Sequence, residues 1–452
     1  MSLPPSESGI PRRPETVISP EIPKPLAGKT ALITGTTSGI GFDTAIALME
    51  AGCNVIGNNS DPKKFDRHNP LTQKAKELGV AYTPILADIS ERQGRAKLRF
   101  NALGYPGESE GIDFLILNAA GGLEIKSTMQ DAKKMNHDAQ IGLVRTFLPQ
   151  IKEGGKVLFM TSTLADAHGK AKELPMYNPV AETKRMAQDS LDSMIPELAE
   201  KGITVGTIVA GLVKGTGAEI RLKRVFRKEL DRMAARTPGG ELVGKDEVAK
   251  AVRDACVADF TSGERFYVGG KNQLDMIDPG VFDKVFEKEE VAEILSMYDE
   301  ETRKVDEVKL LDREHAVGYY KVKDTGIDAA HLTGPMKGFQ LHAGHWWDEG
   351  AAQAAGILLS QVLLGEPVVT FGGKGAVEYT GMVFPGQVLE YHLTRTSTTM
   401  EGIKFDCVFK VGDKVVGSAT ALNLTPAPSR EFAEKEYAKQ KKAAGLSEPE
   451  GT

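Results

Sequence analysis

From Gly28 to about Gly270 the chain alternates short β-branched runs with stretches of helical pattern. No other feature constrains the fold as much. The runs are TALIT (30–34), CNVIG (53–57), YTPILAD (82–88), FLILN (114–118), KVLFMTS (156–162), ITVGTIVA (203–210) and RFYVGG (265–270). Nearly continuous apolar strands separated by helices imply a parallel sheet covered on both faces, an open doubly wound α/β domain.

A length of 452 residues exceeds what one ordinary core accommodates, so a second domain is expected. Past residue 304 the pattern changes to one long apolar helix, from about Gly344 to Leu364, followed by strand-like runs from PVVTFGG to KVVGSATALNL. That order predicts an α+β domain, a single helix buried against an antiparallel meander. The expected boundaries are an extended proline-rich arm (1–26), the α/β domain (27–275), a charged helical linker (276–304), the α+β domain (305–426) and a charged tail (427–452).

The net charge of −6 offers nothing to attract nucleic acid. Cys53, Cys256 and Cys407 lie far apart and read as packed, reduced thiols, not a disulfide or zinc framework, so no metal is expected. No run of about 18 apolar residues suggests a membrane span, and the first residues lack a secretory apolar core. Cytoplasm is the expected location.

The stretch TALITGTTSGIGFDTA places Gly35, Ser38, Gly39, Ile40 and Gly41 directly after a strand and at the start of a helix. Gly35 permits the tight turn, Gly39 lets backbone approach a pyrophosphate, and Gly41 allows close helix–strand packing. The helix N-terminus then offers unpaired N–H groups to phosphates.

This run resembles the short-chain dehydrogenase/reductase family, and further matches follow in order over about residues 27–275. Asp88 and Ile89 fall where the family contacts adenine. Asn118, Ala119, Ala120 and Gly121 resemble its NNAG turn, with Leu117 in place of the first Asn. Asn136 matches its catalytic-site Asn, Ser162 its catalytic Ser, and Thr216 a nicotinamide carboxamide contact. The second strand ends VIGNNSDPKK, with no acid for a ribose 2′-OH. Asn58, Asn59 and Ser60, with Lys63 and Lys64 nearby, suit a 2′-phosphate, so NADPH is expected ahead of NADH.

The resemblance implies a tyrosine that protonates a forming alkoxide, a lysine that lowers its pKa, and a serine that positions the substrate oxygen. Lys184 occupies the family lysine position, yet the usual tyrosine position holds Val180. Tyr177 lies three residues further back in MYNPVAETK, with six residues between it and Lys184, a spacing found in the family's enoyl-thioester reductases, whose second tyrosine site here is Thr163. Pro179 suits a first helical turn, with Asn178 as its cap and Tyr177 just ahead. The expected triad is Ser162, Tyr177 and Lys184. Ketone reduction is read first, enoyl reduction second.

LLDR, EGAAQAAGILLSQVLL and GMVFPGQVLEYHL, within about residues 305–426, resemble β-hydroxyacyl-thioester dehydratases of the hot-dog fold. There a helix carboxyl, here Glu349, works with a histidine on the preceding loop. The ungapped histidine position is Pro335, so His345, one helical turn before Glu349, and His342 are the candidate bases; His331 is a more distant echo. The two resemblances together imply a reductase of 3-ketoacyl thioesters joined to a dehydratase of the 3-hydroxy product, in fatty-acid or polyketide assembly. The substrate is expected on coenzyme A or a carrier protein, and the chain as at least a homodimer. A catalytically silent acyl-binding and dimerising second domain is the alternative.

Overall fold

The structure is a computed structural model that describes residues 24–104, 110–123, 127–224, 226–235, 237, 240–269, 280–324, 330–331, 340–342, 344–364, 368–399 and 402–427. Most of the N-terminal arm and the charged tail therefore lie outside the described residues.

The first sheet contains seven parallel strands: β1 (Thr30–Thr34), β2 (Asn54–Asn59), β3 (Tyr82–Leu86), β4 (Ile112–Leu117), β5 (Ile151–Ser162), β6 (Thr204–Ala210) and β7 (Glu264–Val268). Their order, β3-β2-β1-β4-β5-β6-β7, reverses direction between β1 and β4. Successive residues face opposite sides of the sheet. Leu32, Leu115, Val157 and Val205 enter one core, while Ile33, Ile116, Leu158 and Ile208 enter the other. Both faces are thus covered, which is why the strands read as nearly continuous apolar runs.

Helices α1 (Gly39–Glu50), α2 (Asn69–Leu78), α3 (Arg92–Leu103), α4 (Met129–Lys133) and α5 (Ala139–Phe147) fall among the first five strands. A π-turn, Lys134–Asp138, joins α4 to α5. Then come α6 (Thr163–Asp166), α7 (Asn178–Ala199), α8 (Gly217–Lys223), α9 (Arg227–Ala235) and α10 (Lys245–Val257). Each fully buried Leu, Ile or Val in these cores contributes about 1.5–3 kcal/mol relative to exposure.

The second sheet is antiparallel, with eight strands. They are β8 (Lys284–Phe286), β9 (Glu307–Leu310), β10 (His315–Lys321) and, after a separate pair β11 (Ala330–His331) and β12 (Gln340–Leu341), β13 (Val368–Gly373), β14 (Val377–Tyr379), β15 (Val388–Thr399), β16 (Gly402–Val411) and β17 (Lys414–Ala427). Helix α11 (Lys288–Ile294) follows β8, and the long α12 (His345–Val362) lies in the core of this half. Small residues let α12 approach closely: a Cβ on Gly350 would stand 2.2 Å from the Tyr391 hydroxyl, which itself donates to the Lys304 carbonyl at 2.9 Å.

The segment expected as a helical linker differs from that reading. β8 pairs with β9, and Phe286, Val291 and Leu295 are buried in the second core. A three-residue strand among charged residues gives too short an alternation to register as a strand in sequence. Among the described residues no helix is long and apolar enough to cross a membrane. The three cysteines are free and buried, and no group of three or more His, Cys, Asp or Glu among those residues is placed to hold a metal.

Candidate active site

The strand order reverses where β1 and β4 diverge, and ligand crevices of open α/β sheets form there, beyond the strand carboxyl ends. A cavity of about 420 Å³ opens at this place. Its walls include Gly35, Ser38, Gly39 and Ile40 on the first turn, Asn118, Ala119 and Ala120 after β4, and Ser162, Tyr177 and Lys184.

The cofactor end is built by the glycine turn. Gly35 and Gly39 adopt left-handed backbone, φ 75° and 65°. The Ser38 hydroxyl makes no cap on α1, which leaves the first-turn N–H groups for an incoming anion. A Cβ on Gly41 would meet the Gly35 carbonyl at 2.3 Å, so only glycine brings α1 this near the turn. The Asn118 amide donates to the Thr34 carbonyl at 2.8 Å, and the Thr34 hydroxyl accepts from the N–H groups of Asn118 (3.0 Å) and Ala119 (2.9 Å), locking β1 to the β4 turn. An orphaned helix terminus facing a crevice that a side chain would fill suits a dinucleotide.

The adenosine end differs residue by residue from expectation. Asn59, Ser60 and Lys64 line the cavity; so does Asn58, but its amide is spent on the Ile85 and Ala87 carbonyls (3.3 and 2.9 Å). That side chain therefore ties β2 to β3 and leaves only its surroundings to a ligand. Asn59 is held by the His68 ring at 2.9 Å and donates to the Asp61 carbonyl at 2.6 Å. Burial lowers the His68 pKa, favouring the neutral ring. Lys64 pairs with Asp61 at 3.4 Å. Ile89 is on the wall, whereas Asp88 is exposed, accepts from Ser90 N–H at 2.9 Å and is not part of the lining. Thr216 lines the cavity while its hydroxyl donates to the Val213 carbonyl (2.8 Å) and accepts from Glu219 N–H (3.3 Å), capping α8.

At the reaction end, Tyr177 closes a 3-10 turn, Pro175–Tyr177, immediately before α7. Asn178, expected as the cap, is instead the first residue of α7, and its side chain meets the His168 ring at 3.2 Å. The turn aims the phenol back at β5, where it donates to Ser162 Oγ at 3.0 Å. Val180, at the family's usual tyrosine position, is 3% exposed and belongs to the same buried cluster as Leu123, Leu174 and Tyr177. Asn136 is buried in the π-turn, where its amide donates to the Gly121 carbonyl and to Thr183 Oγ, each at 3.0 Å, and its oxygen accepts from Gly121 N–H at 3.0 Å. It shapes the β4 turn from behind.

Burial raises the Tyr177 pKa, with the bond to Ser162 acting weakly the other way, so the phenol is protonated at neutral pH. Lys184 Nζ donates to the Met160 carbonyl at 3.0 Å, and burial lowers its pKa from 10.5 to about 8. That carbonyl is a partner the motif gave no sign of. Because the folded pKa lies below the unfolded one, the cost of charging Lys184 is fully present below about pH 8 and vanishes above pH 10.5. Relative to Lys184→Met, the wild-type protein without cofactor should gain stability as pH rises through that window, by at most about 3 kcal/mol because the open cavity screens the ammonium. Melting curves of both across pH 7–10.5 check this; a constant offset contradicts it.

The second half's candidate residues lie on α12 or just before it. Glu349, half-buried in the first turns of α12, accepts from Gln353 at 3.2 Å and is bonded by the Tyr298 phenol. His345 is exposed on the same helix, its ring 4.9 Å from that of Trp346. His342 is buried, 5.8 Å from the Tyr320 ring. The loop holding Pro335 and the side chain of His331 lie outside the described residues. The carboxylate that α12 buries most deeply is Asp348, bonded by Lys374 and by the Tyr379 hydroxyl at 3.1 Å. Sequence reading missed it: adjacent helical residues point about 100° apart, and Trp-Trp-Asp-Glu does not say which acid turns inward.

With this geometry in place, the comparisons with known proteins fall on part of the chain. Residues 29–224 match the short chain dehydrogenase family. Dehydrogenase/reductase SDR family member 4 of Mus musculus is 27% identical over 282 residues, 60% of this chain and 92% of the relative. The 7alpha-hydroxysteroid dehydrogenase of Escherichia coli (strain K12) is 28% identical over 253 residues, 54% and 94% respectively. A solved 7alpha-hydroxysteroid dehydrogenase, complexed with NADH and 7-oxo glycochenodeoxycholic acid, aligns with a TM-score of 0.47 at 25% identity, covering 54% of this chain and 94% of that one. The first domain is thus of the short-chain dehydrogenase type, and the protein is an NAD(P)H-dependent oxidoreductase.

Proposed function

We propose that the first domain reduces the ketone of a 3-ketoacyl thioester with NADPH, Tyr177 being the proton donor. The observation that carries this reading is the 3.0 Å bond from the Tyr177 phenol to Ser162 Oγ inside a cavity that also holds Lys184. A carbonyl oxygen taking the place between the two hydroxyls is held by Ser162 and receives the Tyr177 proton as its charge grows. The bound nicotinamide supplies the hydride. Asn118 and Thr34 keep the β4 turn fixed, while Lys184 adds positive charge beside the forming alkoxide.

Ketone reduction is favoured over enoyl reduction because Thr163 stands where the enoyl reading needs a second tyrosine, and because relatives carry names that specify a hydroxysteroid. NADPH is favoured by the neutral Asn59 at the end of β2 and by Lys64 on the wall. The thioester class rests on the second domain, which we read as a hot-dog fold: one long helix buried in a curled antiparallel sheet, paired across a homodimer. Exposed Val388, Val408 and Val415 on its strands are consistent with such pairing. Acyl chains carried on coenzyme A or a carrier protein, and a place in fatty-acid or polyketide assembly, follow from that reading.

The deciding assay is NADPH oxidation, with NADH in parallel, against a 3-ketoacyl and a 2-enoyl coenzyme A ester of equal chain length. Turnover of the ketoacyl ester with little of the enoyl ester is expected; the reverse preference overturns the reading. Dehydration by the second domain is a second reading, favoured by the position of Glu349 on α12 with Tyr298 and Gln353 orienting it. Enoyl ester appearing from 3-hydroxyacyl ester in the same mixture supports it, and its absence leaves the domain an acyl-binding module.

A further inference from the structure

The geometry points to the second domain as a structural part of the reductase site: through Glu173 and Arg395 it positions the proton donor. This inference rests on Tyr177 being that donor. The segment from Ala171 to Tyr177 carries the phenol, and it is held from the other half of the chain. Glu173 forms a parallel bridge with Leu363, just past the end of α12; its N–H donates to the Val362 carbonyl at 2.7 Å, and its carbonyl accepts from Leu364 N–H at 2.8 Å.

The Glu173 carboxylate accepts from the two terminal guanidinium nitrogens, Nη1 and Nη2, of Arg395, on β15, at 3.3 and 2.5 Å. Both side chains are 8% exposed. The Arg313 guanidinium donates to the Ala171 carbonyl, and Lys172 Nζ donates to the Ser360 carbonyl at 3.4 Å. One residue beyond the bridge, the Leu174 carbonyl accepts from Tyr177 N–H at 2.8 Å. Leu364 packs against the same core as Leu174, Tyr177, Val180 and Leu222.

A continuous path therefore runs from Arg395 through Glu173 and Leu174 to the phenol and Ser162. The physical reason for such a strap lies in the displaced tyrosine. A tyrosine one turn inside a helix is oriented by that helix, whereas Tyr177 sits ahead of α7, on a short turn whose backbone needs support of its own. A buried, bidentate ion pair supplies direction as well as energy. Arg395 and Glu173 do not reach the reacting atoms; they are positioning residues.

The full-length chain tests this with Arg395→Gln, Arg395→Lys, Glu173→Gln and the exchanged pair Glu173→Arg/Arg395→Glu, each alone and with Tyr177→Phe. Loss of the clamp should lower kcat about 10- to 100-fold, the range expected when a reacting group is displaced by about an ångström, with ketone KM and NADPH Kd changed less than threefold. Arg395→Lys and the exchanged pair should recover part of the loss. In the Tyr177→Phe background, Arg395→Gln and Glu173→Gln should have no further effect, because the group they position has gone.

Three results overturn the inference: unchanged kcat in the clamp variants, losses that multiply with Tyr177→Phe, or losses that appear in KM and NADPH Kd instead of kcat. Where Arg395→Gln does not fold, the milder Glu173→Gln gives the same readout. Wild-type turnover by Tyr177→Phe alone would fail the reading of the donor, a separate outcome.

Discussion

Tyr177→Phe should lower kcat for the ketone about a hundredfold to ten-thousandfold, the usual contribution of a positioned general acid. KM and NADPH affinity should stay within a few-fold, because the lost bond matters most when the carbonyl oxygen has become an alkoxide. The fold should tolerate the change. The ring packs with Leu174 and Val180, which phenylalanine preserves, and Ser162 Oγ keeps its bond from Ala165 N–H at 3.2 Å. Loss of a single neutral hydroxyl contact costs about 0.5–1.5 kcal/mol.

A pH profile gives an independent reading of the same group. The donor must be protonated, so the wild-type rate has an alkaline limb at the phenol pKa, which burial has moved upward, beyond any fall near pH 8 as Lys184 loses its proton. In the variant that alkaline limb should disappear. Steady-state kinetics carried from about pH 6 to above the ordinary phenol value of about 10 would show both effects, and an unaltered kcat removes Tyr177 from the chemistry.

Much of the first domain was legible because its strands are buried on both faces, and burial on both faces imposes apolar runs that no loop imitates. The nucleotide turn was legible for a different reason: backbone that approaches a phosphate must be glycine at fixed places. The tyrosine was visible only as a displaced residue. The 3-10 turn that carries its hydroxyl to Ser162 depends on the support of Glu173, and the partner of Glu173 lies 222 residues away in sequence. No local pattern encodes such a contact. The same holds for Asp348, whose inward orientation is fixed by Lys374 and Tyr379 from beyond the helix, and for β8, whose three residues pair only because β9 presents an edge.

Gly41→Ala should weaken NADPH binding about 10- to 100-fold and lower the melting temperature, by an argument that uses space alone. The added methyl would lie 2.3 Å from the Gly35 carbonyl oxygen and 2.5 Å from Asn118 Nδ2. Neither neighbour can yield freely. Gly35 N–H is bonded to the Asn58 carbonyl at 2.9 Å, and the Asn118 amide is bonded to the Thr34 carbonyl at 2.8 Å. The start of α1 must therefore move outward, taking with it the N–H groups that face the phosphates. Overpacking of this kind costs about 1–3 kcal/mol, and each 1.4 kcal/mol taken from binding is about tenfold in Kd. Gly39 supplies the contrast. Its Cβ would meet nothing within 4 Å, and only its φ of +65° resists a side chain. Gly39→Asn, a residue that tolerates left-handed backbone, should therefore melt at a higher temperature without cofactor than Gly41→Ala, although its side chain would stand where the pyrophosphate approaches. Melting curves of both variants and fluorescence titration of Gly41→Ala decide the matter: a Gly41→Ala protein that binds NADPH as wild type would mean that the crease between α1 and β4 is not where the pyrophosphate lies.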